Sequence, residues 1–174
     1  MPVSLYCRPL LAFGLLVLAG MPTSAQTTLP GCTPRHVDKP PRTVFDCAGG
    51  LTIEAEAAAR LAAATSGNGP SPETIELQGG AALIELKPDG DRPFQIRTPH
   101  AIASVRGTLY AVDVTDRKTA VFVVRGRVWV MNLNGRAGVT LTAGKGTEVR
   151  PGKRITAHKW STARVSDLMA RFGR

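Results

Sequence analysis

Few residues in this chain of 174 could carry out a reaction, and their spacing argues against one. His36, His100 and His158 could bind zinc, which draws its ligands from closely paired positions. The three lie far apart in sequence, so no metal site is expected. Asp89-Gly90-Asp91 has the opening of a calcium loop but lacks the later oxygen ligands. Between Leu86 and Phe94 it reads more simply as a hairpin turn. The run from Gly146 to Arg154 superficially resembles a phosphate loop. It has one residue too many between its glycines and no Ser or Thr after Lys153, and a strand pattern follows where a helix is needed. Glu54 and Glu56 share one strand face, which is also what a solvated face looks like. Trp129 and Trp160 are the sole tryptophans, too few for a stacking platform. Trp129 alternates within a β run and reads as core or sheet surface. No acid–base set can be assembled, so neither an enzyme nor a cofactor is expected.

The elements around these residues begin with an export signal. Arg8 precedes an apolar run of about a dozen residues, too short for the roughly 20 of a spanning helix. Thr23-Ser24-Ala25 supplies small residues for cleavage between Ala25 and Gln26, so residues 1–25 read as a signal peptide. The expected location is periplasmic or secreted. Cys7 leaves with the signal. Cys32 and Cys47 remain as a pair in an oxidising compartment, which predicts a disulfide. Closing a loop of that size stabilises by about 3 kcal/mol in the chain-entropy model. The bridge would tie down an extended Pro-rich strap at 26–50.

Charge narrows the partners. The chain has 22 Lys and Arg against 13 Asp and Glu, and losing Arg8 leaves a net charge of +8. Outside the inner membrane the acidic partners are lipid head groups, polysaccharide phosphates or an acidic protein face, and no nucleic acid is expected. The charges are scattered rather than gathered in one run, as on a solvated basic surface.

Beyond the strap the period is two. Residues 51–57 alternate as a strand, although 55–64 are rich in helix formers, so a short helix there is the rival reading. A loop follows at 66–72. Further strands are expected at 74–77, 82–87, 94–98, 101–106, 109–114, 120–124, 128–133, 139–141, 147–149 and 155–158. Gly-Gly, Asp-Gly-Asp, Arg-Gly, Asn-Gly and Pro-Gly steps separate them. The fold class is therefore all-β, one domain at 51–158 built as a sandwich, roll or short solenoid. Residues 159–174 form a C-terminal helix. Ser161 or Thr162 can cap it, and Val165, Leu168, Met169 and Phe172 make one apolar stripe. That stripe predicts a helix docked on an open end of the β body, over its edge strands, with Arg164 and Arg171 facing away.

One ordered set of steps is more specific than this pattern. Thr98-Pro99 is followed by Val105-Arg106-Gly107-Thr108, Val112-Asp113-Val114, Val121–Val124, Gly126-Arg127-Val128 and Leu141-Thr142-Ala143-Gly144. This set, spanning about 96–149, resembles the FecR-like domain. Gly107 and Gly126 allow sharp bends between strands, and Pro99 marks a strand end. Arg106 is expected to pair with Asp113. The family's best-known members sense a periplasmic partner and control a sigma factor across the inner membrane. They carry a cytoplasmic segment and a transmembrane helix before this domain. Here a cleavable signal stands in that place, so anti-sigma activity is not carried over. The resemblance implies a non-enzymatic extracytoplasmic module that binds an envelope protein. The alternative is binding of anionic glycolipid or cell-wall polymer.

Overall fold

The computed structural model describes residues 28–65, 71–88 and 94–174. The signal-peptide reading, most of the 66–72 loop and Asp89-Gly90-Asp91 lie outside them. Thirteen strands and one helix follow in chain order. They are β1 (Cys32–Asp38), β2 (Pro41–Cys47), β3 (Leu51–Glu56), β4 (Arg60–Thr65), β5 (Thr74–Leu86), β6 (Phe94–Arg97) and β7 (Ala101–Val105). Then come β8 (Leu109–Thr115), β9 (Lys118–Arg125), β10 (Arg127–Asn132), β11 (Gly138–Thr142), β12 (Lys145–Val149), β13 (His158–Lys159) and α1 (Thr162–Ala170). The protein is all-β with a C-terminal helix, as its alternating pattern predicts.

The central element differs from the sequence reading. The stretches 74–77 and 82–87 are one strand of 13 residues, not two strands flanking a Gly-Gly turn. The first half of β5 pairs with β4 antiparallel and β6 parallel; its second half pairs with β3 and β8. The chain thus passes from one sheet into the other at Gly79-Gly80. Gly80 has φ of 76°, and a Cβ there would sit 2.8 Å from the Ala58 carbonyl oxygen. In sequence a glycine pair suggests a turn because it permits positive φ; here that freedom bends a continuous strand. The parallel pairing of β5 and β6 also means that 82–87 and 94–98 are not hairpin partners.

One sheet runs β1-β2-β3-β5-β8-β9-β12-β13; the other runs β4-β5-β6-β7-β10-β11. Their facing sides supply the main core. Ile53, Ala82, Ile84, Val112, Val121 and Val123 come from the first sheet, and Ile75, Leu77, Ile96, Ala103, Val128 and Leu141 from the second. Each fully buried aliphatic side chain contributes about 1.5–3 kcal/mol.

The Pro-rich segment is not a loose strap. It forms the β1–β2 hairpin, in register from Cys32↔Cys47 to Asp38↔Pro41, and β2 joins it to β3. The Cys32–Cys47 disulfide closes its open end. Residues 55–64 hold no helix: the chain turns after Glu56 and returns as β4. Pairing of β4 with β5 overrides the helix propensity of these alanines.

The helix also sits elsewhere than expected. Ala81, Leu83, Ala111, Ala120 and Phe122 form a second apolar face on the first sheet, and Trp160, Leu168, Met169 and Phe172 cover it. Hence α1 lies on the face of β5, β8 and β9, not over edge strands. The cause is legible in runs such as Ala120-Val121-Phe122-Val123, which are apolar on both sides. The result is three layers: sheet, sheet, helix. Replacing Gly80 with alanine should lower stability by about 2–4 kcal/mol, because strain and a backbone clash coincide. Urea denaturation measures it; an unchanged midpoint would show that the strand does not need this bend.

Candidate functional site

The chemistry-bearing residues resolve into two motif corners, two ionic clusters and a basic cleft. At the first corner, buried Thr98 accepts hydrogen bonds from the amides of Ala101 (2.9 Å) and His100 (3.3 Å). Its hydroxyl lies 2.8 Å from that of Thr119, also buried, and 3.0 Å from the Ala101 carbonyl. His100 Nδ1 meets the Thr119 hydroxyl at 3.2 Å. Pro99 follows and ends the strand, as its missing N–H requires.

The second corner joins two steps of the ordered set. Val105 and Val128 are buried partners in the β7–β10 ladder. The Thr108 hydroxyl, fully buried, lies 3.0 Å from the carbonyls of both Arg106 and Arg127. Gly126 has φ of 88°, and a Cβ there would stand 2.7 Å from the Gly107 carbonyl oxygen. Val-Arg-Gly-Thr and Gly-Arg-Val are thus two halves of one interlocked corner. Gly126→Ala should cost about 2–4 kcal/mol, from positive φ plus a contact with unyielding backbone. Thermal unfolding reads this out, and a variant as stable as the parent would deny the interlock.

Arg106 does not pair with Asp113. Arg106 is exposed, whereas Asp113 accepts from Arg171 Nη1 at 2.9 Å. Arg171 also grips Glu56, through Nε at 2.8 Å and Nη2 at 2.5 Å. Glu56 additionally accepts from the Ala81 amide at 2.7 Å. Neighbouring Glu54, 8% exposed, pairs with Arg42 at 2.9 Å and with Arg174. The two glutamates are therefore not a solvated face; they anchor the end of α1 to β3. Sequence gave no sign of this because the partners lie 115 and 120 residues away.

Glu148 on β12 is the second ionic centre. It accepts from Lys118 Nζ, Arg150 Nη2 and Arg164 Nη2, each at 2.6 Å. Burial alone would raise its pKa, but the hydrogen bonds from Lys118 and Arg164, with their charges, overturn that and lower it to about 2. Arg164, expected to face away, lies over the Trp160 ring, 3.5 Å from its centroid. Trp160 in turn stacks on Phe122 with centroids 5.1 Å apart. A group with a depressed folded pKa contributes stability that is complete above its unfolded pKa and is lost as pH falls towards the folded one. Stability should therefore decline between about pH 4.5 and 2. Glu148→Gln should flatten that decline in urea midpoints taken across the range; an equally steep profile would assign the acid sensitivity elsewhere.

The three histidines remain apart. His36 lies 3.2 Å from the Thr43 hydroxyl, and His158 lies 2.8 Å from that of Thr156. Among the described residues no three His, Cys, Asp or Glu side chains gather as metal donors. Tyr110 is wholly buried, and burial pushes its phenol pKa up, so it stays neutral. The 146–154 run forms β12 and then a turn closed by the Lys153 amide on the Arg150 carbonyl, with no helix behind it. That turn borders a 380 Å³ cleft with Pro99, His100 and Leu133, and a 430 Å³ cleft with Lys159, Trp160 and Arg164.

The second sheet leaves one face bare. Trp129 is 44% and Leu133 50% exposed. Trp129 stands opposite Ser104 of β7 and Thr140 of β11, and its ring lies over Gly138. Met131 stands between Ile102 and Gly138 in the next row. Sequence placed Trp129 on a β run but could not choose its face.

Fold and site together define a helix-backed β-sandwich whose prominent carboxylates are tied up by arginine and lysine. The model of the family described as FecR protein matches residues 42–129, just over half the chain, and the protein belongs to that family. The match begins well upstream of the 96–149 stretch that carried the resemblance. Two crystal structures of candidate anti-sigma factors from Parabacteroides distasonis ATCC 8503 share the fold. One is 20% identical, with a TM-score of 0.61 over 78% of this chain and 63% of its own. The other is 18% identical, with a TM-score of 0.57 over 80% of this chain and 61% of its own. The chain thus spans less than two thirds of each neighbour. No curated protein matches it.

Proposed function

We propose that the protein is a non-enzymatic, extracytoplasmic module of envelope signalling that holds an acidic, extended segment of a partner protein. Family membership supports the signalling role, and the Cys32–Cys47 disulfide supports an oxidising location. The exposed Trp129 face beside β11 is the observation that carries the binding role. Strand β11 pairs with β10 on one side and is the terminal strand of its sheet. Such an edge accepts an added strand through backbone hydrogen bonds. Trp129 would cover the incoming side chains, since tryptophan is a frequent binding hot spot. Arg127 shares the Trp129 face, opposite Thr142, and is exposed, which favours an acidic partner.

Trp129→Ala and Arg127→Ala should each cut recovery of the main partner from an envelope extract by about tenfold, while Arg117→Ala, in the β8–β9 turn, should not. Raised salt should lower recovery by the parent protein. Equal recovery by all variants, unaffected by salt, would end this reading.

A further inference from the structure

The 430 Å³ cleft lies between β12, β13 and the start of α1, beside the Glu148 ion pairs. Arg150, Lys153, Lys159 and Arg164 line it against a single carboxylate, Glu148. That is a surplus of three positive charges in one concavity. Glu148 fixes the two arginines, each through one Nη2 only, and Trp160 supports Arg164 from below. Both guanidiniums are therefore held in place with donors left over.

A second observation points the same way. Lys145 and Lys159 are direct cross-strand partners in the β12–β13 ladder, both exposed. Like charges directly opposite each other destabilise a sheet. Neither lysine has an acidic partner among the described residues. Ser161, the N-cap of α1, also lines the cleft, and the first turn of the helix carries no acidic residue. The helix dipole thus adds to the positive field there.

We propose that this cleft binds a phosphate group, carried on a sugar or on a lipid headgroup. A phosphomonoester brings close to two negative charges and three acceptor oxygens, against one charge for a carboxylate. Guanidinium forks match phosphate geometry, and lysines add point charge. A phosphate reaching Lys159 also offsets its repulsion with Lys145. This site is separate from the Trp129 face, and each stands or falls alone.

The test is calorimetric titration of the full-length mature protein at low ionic strength. One arm uses glucose 6-phosphate; the other uses phosphatidylcholine vesicles containing phosphatidic acid, a lipid phosphomonoester, with pure phosphatidylcholine vesicles as the blank. Binding in either arm should weaken about tenfold or more in Lys153→Ala/Lys159→Ala. It should be unchanged in Arg97→Ala, an exposed arginine on the second sheet. Binding to both probes supports the site for either source. Vesicles alone assign it to lipid, and the sugar phosphate alone assigns it to a soluble ligand. Melting gives an independent readout: Lys159→Ala should raise Tm without anion and abolish the Tm increase that glucose 6-phosphate gives the parent. Absence of binding in both arms, or equal weakening by Arg97→Ala, overturns the proposal.

Discussion

The structure hangs on one strand that belongs to two sheets. Because β5 crosses between them at Gly79-Gly80, its first half recruits β4 and β6 and its second half recruits β3 and β8. The two sheets therefore meet over a shared spine instead of a flexible connection. The inner face of β5 alternates Ile75 and Leu77 with Ala82 and Ile84 into one core. A side chain at Gly80 would collide with the backbone just before β4. The entropy that glycine loses on folding, about 0.5–1 kcal/mol against alanine, is small beside the burial it makes available.

The third layer rests on two interactions of unequal size. Leu168, Met169 and Phe172 leave water against Ala81, Leu83, Ala111 and Phe122. At about 1.5–3 kcal/mol for each large side chain, this burial dominates the docking of α1. Ion pairs such as Arg171 with Glu56 and Asp113 remain partly solvated, where such pairs contribute about 1 kcal/mol or less. Their effect is directional: they fix which way the helix lies on the sheet. The apolar stripe holds α1 down and the arginines set its bearing.

What could be read from sequence followed from local chemistry. The disulfide followed from two cysteines and a compartment argument, and the helix from a cap and a stripe spaced for 3.6 residues per turn. The all-β class followed from period-two alternation. The ordered steps from Thr98 to Val128 identified the family because their hydroxyl, glycine and proline requirements are local. Partners at long range were not legible. Arg106 reads as a partner for Asp113 because both flank one sheet, yet Arg171, 58 residues after Asp113, takes it. Glu54 and Glu56 share one strand face and so read as solvated, because Arg171 and Arg174 come from the far end of the chain. Gly79-Gly80 reads as a turn because positive φ serves a turn and a strand bend alike. Trp129 sat in an alternating run, and alternation gives two faces without saying which is covered.

The order of elements along the chain has a consequence for how the molecule comes together. The helix follows every strand that it shields, so the face bearing Ala81, Leu83, Ala111 and Phe122 is complete before its cover has been made. A chain cut short before Trp160 would therefore leave that apolar plane uncovered.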